Sequence, residues 1–185
     1  MGQDKGSMII NNKPMIKHIL ESLNGEINEA IIVLNNQIRI EKYKKFIDTS
    51  QYNYKITFYE DEIKNKGPLS GMLTGLSHIK GENALILPCD SPYVTKNYIN
   101  TIFKEVDNKY QAIVPYHDSK NKLKTSEPLH SIYNKNIIPE INRLIDENIL
   151  HIKGLIKKIE TKYIFIDNKK IEKKEFKNIN SKKDI

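Results

Sequence analysis

Cys89 is the only cysteine in this 185-residue chain, so no intramolecular disulfide can form. A reducing compartment suits such a sequence. Glycine and proline, at 8 and 7 residues, are not enriched, which excludes a collagen-like fibre and gives no sign of disorder. No apolar run approaches the roughly 20 residues of a membrane-spanning helix. The start shows no signal-peptide pattern. There is no Cys/His cluster with zinc spacing and no internal repeat. These absences point to a cytoplasmic protein without a membrane partner.

The length suits one domain and is enough to bury a core. Thirty basic residues stand against 23 acidic ones, for a net charge of +7. Such an excess can serve a polyanion. Here the lysines are scattered through every region, so most read as a solvated surface, including those of the 169–177 tail. Nucleic acid is not expected as a partner, whereas a nucleotide substrate suits a basic chain.

Helix-like and strand-like segments alternate. Residues 13–23 carry apolar side chains at Met15, Ile16, Ile19, Leu20 and Leu23, a helical period. Helices are also expected over 40–47, 68–79, 98–106, 137–144 and 150–159. Strands are expected over 30–34, 54–59, 84–87, 111–115, 129–133 and 163–167, with a polar loop over 117–126. This alternation predicts an α/β fold with parallel strands joined by right-handed crossovers.

Leu85-Ile86-Leu87-Pro88-Cys89-Asp90 is the most informative segment. An apolar strand stops on a carboxylate, and ligands in open α/β sheets bind beyond the carboxyl ends of the strands. A strand-end aspartate capping the next helix is the competing reading. Two other strands also end in polar residues, at Asn35-Asn36 and at Asp61, which favours a shared site. Cys89 reads as a small packing residue rather than a nucleophile. Lys5, after a glycine turn, could meet triphosphate charge, although a lone lysine near a terminus is more often only solvated. Gly67-Pro68-Leu69-Ser70-Gly71 opens a helix whose N-terminus favours anions, yet Gly-Pro before a helix is also ordinary punctuation.

Taken in order, these pieces resemble the molybdenum cofactor guanylyltransferase family. The matching segments are Met-Gly-Gln-Asp-Lys (1–5), Asn-Lys-Pro (12–14), the Asn35-Asn36 strand end and Glu60-Asp61. They continue with Gly-Pro-Leu-Ser-Gly-Met (67–72), Pro-Cys-Asp-Ser-Pro-Tyr (88–93), Pro-Leu-His-Ser-Ile-Tyr (128–133) and Asn-Ile-Asn-Ser (178–181). The resemblance implies a three-layer Rossmann-like nucleotidyltransferase fold with a mostly parallel sheet. It implies transfer of GMP from GTP to the phosphate of molybdopterin cofactor, with Mg²⁺ and release of pyrophosphate. Molybdenum-insertion and molybdoenzyme-maturation proteins are the partners it implies.

Carried over by position, Lys5 binds triphosphate. Asn35 or Asn36, Asp61 and the Gly67, Pro68, Leu69 and Gly71 segment contact the nucleotide. Asp90 and Asn180 hold the metal, with Asp90 also at the nucleotide and, with Lys5, the catalytic pair. His130 and Asn178 lie on the pterin side. His130 reads equally as a structural histidine, and His18, His78, His117 and His151 read as structural or exposed. Family members carry a strand and a Leu-Ala-Gly-Gly-x-Ser-x-Arg loop just before Met-Gly-x-Asp-Lys. Residues 1–185 are therefore expected to form one N-terminally truncated nucleotidyltransferase domain whose sheet lacks its first strand. Two other readings stay open: a related enzyme using CTP or a sugar-phosphate acceptor, and a non-catalytic remnant that binds pterin cofactor.

Overall fold

The computed structural model describes residues 4–64, 66–118, 120–166, 171–181 and 184. Near the start, Asn11 and Asn12 both adopt positive φ, 48° and 63°. That is the left-handed pair a tight hairpin turn needs, and asparagine tolerates it. It joins β1 (Ile9–Ile10) to β2 (Lys13–Pro14). Residues 13 and 14 are thus strand, and the expected first helix begins at Met15. This α1 (Met15–Leu23) buries Met15, Ile16, Ile19, Leu20 and Leu23, as their spacing predicts.

Strand β3 (Glu29–Leu34) leads through the Asn36 cap into α2 (Gln37–Phe46), then β4 (Lys55–Glu60). Strands β3 and β4 pair in parallel, Glu29 opposite Lys55 through Leu34 opposite Glu60. Helix α3 (Gly67–His78) follows, then β5 (Asn83–Ile86), α4 (Lys96–Phe103) and β6 (Ala112–Tyr116). The chain continues through β7 (Ser131–Asn134), α5 (Ile138–Asp146), α6 (Ile152–Leu155) and β8 (Thr161–Phe165). The end of the expected strand over 163–167, at Asp167, lies outside the described residues.

The second sheet has the order β5-β7-β6-β8. Strand β8 is parallel to β6, and β7 is antiparallel to both β5 and β6. The sheet is therefore mixed, with β5, β6 and β8 sharing a direction and β7 reversed. The reversal follows from the polar 117–126 loop. It has no helical period, and a parallel return needs a crossover of a dozen or more residues, usually a helix. Instead the chain folds straight back, with a bridge between Tyr116 and Ser126.

Among the described residues, no ladder joins β3 to β5. The β3-β4 pair and the four-stranded sheet are therefore separate ladders among the described residues. Both strands are largely half-buried, whereas β6 is buried throughout.

Strand alternation divides the core into two layers. Ile113 and Ile132 face a cluster built by α1, α2 and α4 around Leu20, Tyr43 and Tyr98. Ala112, Val114 and Tyr133 face the cluster of α3 and α5 around Leu69, Leu76 and Ile141. Helices thus cover both sides of the strands, the three-layer arrangement expected.

The expected helix over 150–159 contracts to one turn, α6. The His151 ring caps it, with the Gly154 N–H donating to His151 Nδ1 at 2.8 Å. A Cβ at Gly154 would stand 2.8 Å from Ile149 and 2.9 Å from that ring, so only glycine fits beneath the cap. No helix among the described residues is long and apolar enough to cross a membrane.

Candidate active site

Three residues from the two ends and the middle of the chain meet at one point. Lys5 Nζ lies 2.9 Å from Asp90 Oδ2 and also donates to Asn180 Oδ1. Asp90 follows β5 and is 8% exposed, whereas the Lys5 side chain is 38% exposed. A buried carboxylate therefore faces an ammonium that still reaches water.

Asn180 arrives there because the residue before it is an anchor. Ile179 is fully buried against Met8, Ile10 and Met15, the first elements of the chain. Its N–H donates to the Asp90 carbonyl oxygen at 2.8 Å. The extended tail then exposes Asn178 and Asn180 on either side of buried Ile179. Asn178 Oδ1 accepts from Ser91 Oγ at 2.7 Å. Both tail asparagines thus lie against the loop that carries Asp90.

A second group lies after β4. Asp61 donates its N–H to the Leu34 carbonyl oxygen at 2.8 Å, which continues the pairing of β3 with β4. Its Oδ2 accepts from Ser70 Oγ at 2.8 Å. Asp61 is thereby tied to the first turn of α3. That helix enters through Gly67, whose φ of +66° is left-handed and whose Cβ would press the Leu150 carbonyl oxygen at 3.4 Å. Pro68 stands at the first helical positions, where no N–H is needed. The exposed Gly67-Pro68 edge and half-buried Gly71 are open to a ligand. The Leu69 side chain is fully buried in the α3–α5 cluster, so only its backbone could face a nucleotide.

The profile of the MobA-like NTP transferase domain matches residues 1–162. This chain belongs to that family. Among relatives, a probable molybdenum cofactor guanylyltransferase of Methanothermobacter thermautotrophicus is 29% identical, covering 100% of this chain and 90% of the relative. A molybdenum cofactor guanylyltransferase of Aliivibrio fischeri is 29% identical over 90% of this chain and 77% of its own length. The solved structure of molybdopterin-guanine dinucleotide biosynthesis protein A from Archaeoglobus fulgidus superposes with a TM-score of 0.77 at 24% identity. That match covers 99% of this chain and 87% of the other.

Within this MobA-like domain the two strand-end asparagines separate. Asn36 Oδ1 accepts from the Arg39 N–H at 2.9 Å and caps α2. Asn35 is exposed at the end of β3. His130 is enclosed rather than facing an open cleft. It is 2% exposed, both ring nitrogens lack hydrogen-bond partners, and its ring packs edge-on against Phe176 at 5.2 Å. Burial holds its pKa down to about 4, so the imidazole is neutral at pH 7. Cys89 has exposed surface, but its Cβ backs Gly6 and burial pushes its thiol pKa up.

Residues 1–3 of the first matching segment lie outside the described residues. The cluster around residue 4 was not singled out from sequence. Tyr43 donates to Asp4 Oδ1 at 2.6 Å, and Lys42 Nζ lies 3.0 Å from Asp4 Oδ2 and 2.7 Å from Ser7 Oγ. Burial pushes the Asp4 carboxyl up, but these hydrogen bonds outweigh it and hold it below its ordinary value. The available signal was a tyrosine on the buried stripe of α2, because a buried tyrosine hydroxyl usually finds a partner.

Proposed function

We propose that this chain transfers GMP from GTP to the phosphate of molybdopterin cofactor and releases pyrophosphate. The observation that carries the reading is the meeting of Lys5, Asp90 and Asn180. It places an ammonium, a buried carboxylate and an amide oxygen at the carboxyl end of β5, where α/β folds bind ligands. The names of the relatives support the choice of GTP and of the pterin acceptor.

In this reading an oxygen of the acceptor phosphate attacks the α-phosphorus of GTP in line. A new P–O bond forms as the bond to the bridging oxygen breaks, and pyrophosphate leaves with that electron pair. Such transfers need mainly positioning and charge neutralisation. An acceptor phosphate that is already ionised needs no general base, so no histidine is required. Lys5 lies against the β- and γ-phosphates. Asn35 is the better placed of the two asparagines for the guanine, because the Asn36 oxygen is committed to its helix. Asp61 braces the start of α3 through Ser70, and that helix start offers backbone N–H groups to the nucleotide.

Asp90 Oδ2 and Asn180 Oδ1 already converge on one positive charge, and hard oxygen donors of this kind suit Mg²⁺. Among the described residues there is no group of three or more His, Cys, Asp or Glu side chains that could hold a metal. An ion held by Asp90 and Asn180 would take its other ligands from the nucleotide and water. When bound, Mg²⁺ would neutralise phosphate charge.

The test is titration of the protein with GTP and with CTP in Mg²⁺, followed by assay for dinucleotide product and pyrophosphate. Preference for GTP with formation of the guanine dinucleotide is the expected result. Preference for CTP, or no turnover of either, would overturn the reading.

Gly71 offers a narrower check. A Cβ added there meets nothing within 4 Å, so the fold alone does not demand glycine. Gly71→Ala should raise stability by about 0.5–1 kcal/mol through helix propensity. If glycine stands there to admit the nucleotide, the same variant should raise the KM for GTP several-fold. An unchanged KM removes Gly71 from the binding surface.

A further inference from the structure

One residue meets both chain neighbours of Lys5. On one side, Asp4 accepts from the Tyr43 hydroxyl at 2.6 Å. On the other side, a Cβ at Gly6 would stand 2.4 Å from the Tyr43 hydroxyl oxygen and 3.2 Å from the Cys89 Cβ. The backbone of residue 6 is thus pressed between Tyr43 and the residue preceding Asp90. Burial and the Asp4 carboxylate push the Tyr43 hydroxyl far above its ordinary pKa. It therefore stays protonated and donates to Asp4.

We propose that Tyr43 is a positioning residue for nucleotidyl transfer, acting through Asp4 and Gly6 to set where the Lys5 ammonium reaches. The inference rests on the reading of Lys5 as the triphosphate lysine. A lysine is a point charge on a flexible four-carbon stem, so its reach depends on where the backbone starts it. A misplacement of about 1 Å can cost on the order of 100-fold in rate. Tyr43 fixes that start from α2, and α2 begins directly after the Asn35-Asn36 strand end. The same helix thus spans the distance between the nucleotide-facing end of β3 and the lysine. A tyrosine serving only as core would need its ring alone. The ring packs against Phe46 at a centroid distance of 5.0 Å, and phenylalanine could supply that contact.

The experiment uses Tyr43→Phe, which keeps the ring, with Asp4→Asn and the double variant. In wild type and each variant, kcat and KM for GTP and for the acceptor are measured. In nucleotide-free protein, the rate of Lys5 acetylation by a small amine-reactive reagent is read by peptide mass spectrometry against Lys13. Tyr43→Phe is expected to lower kcat/KM for GTP about tenfold, with the KM for acceptor unchanged and the far-ultraviolet circular dichroism retained. Lys5 acetylation should change several-fold, and Tyr43→Phe should add no more than about twofold on the Asp4→Asn background.

Full additivity of the two substitutions, or an unchanged kcat/KM in an active enzyme, would overturn the proposal. Unchanged Lys5 reactivity would do the same. If wild type transfers nothing from GTP, the guanylyl reading fails by itself. The acetylation rates and their double-mutant cycle then decide the positioning role without any nucleotide.

Discussion

Asp90→Asn should lower Mg²⁺-dependent GMP transfer by about 1,000-fold while leaving the protein folded. Removal of one group that stabilises transition-state charge typically costs about 100- to 1,000-fold. Asp90 belongs at the upper end because its carboxylate is the charged oxygen donor of the pair, with the Asn180 amide oxygen, that converges on the Lys5 ammonium. Asparagine keeps the size and removes the charge. The tail should stay docked, because Ile179 bonds to the Asp90 backbone carbonyl rather than to its side chain. Loss of the ion pair with Lys5 should cost less than about 1 kcal/mol, since the lysine side chain is 38% exposed and can turn to water. Thermal melting and single-turnover transfer, measured side by side, check this. Activity within tenfold of wild type would remove Asp90 from the reaction centre.

The parts of this fold that were legible in sequence are those governed by short-range rules. Helix α1 shows its buried face through the spacing of five apolar residues, and all five are buried. The end of β5 and the Gly67-Pro68 entry to α3 were legible because strand ends and glycine-proline pairs leave local signals. The direction of β7 is not written in its own residues, because pairing is a long-range choice. The run over 129–133 reads equally well in either direction, and only the helix-free loop before it determines the reversal.

The site divides in the same way. The family resemblance alone puts Lys5, Asp90 and Asn180 in one site; the direct contact between Lys5 and Asn180, 175 residues apart, leaves no local signal in the residues themselves. Leu69 lay inside a motif read as nucleotide-binding, yet its side chain belongs to the core. Motif membership says which segment approaches a ligand, not which face of the segment does so. Tyr43 was hidden for the opposite reason. An apolar stripe on a helix explains a buried tyrosine so readily that nothing calls for its hydroxyl, until the structure places Asp4 on it.

Lys5→Met should lower kcat/KM for GTP by about 100- to 1,000-fold, and its effect on metal binding should have the opposite sign to that of Asp90→Asn. The Lys5 ammonium bridges Asp90 Oδ2 and Asn180 Oδ1. A divalent ion approaching those oxygens meets a like charge only a few ångströms away, where repulsion is worth on the order of 1 kcal/mol or more near a protein surface. Methionine keeps the length of the stem and removes that charge. Titration with Mn²⁺ in the absence of nucleotide should therefore show tighter binding in Lys5→Met, by about tenfold for about 1.4 kcal/mol, and weaker binding in Asp90→Asn. With GTP present the gain should shrink or reverse, because the lysine is then wanted at the β- and γ-phosphates, and its absence leaves their charge unmatched. If Lys5→Met weakened Mn²⁺ binding as much as Asp90→Asn does, the ammonium would be part of the metal site's support rather than its competitor. The triphosphate role assigned to Lys5 would then have to go to another cation. In this reading the Lys5 ammonium and a divalent ion compete for the same two oxygens of Asp90 and Asn180.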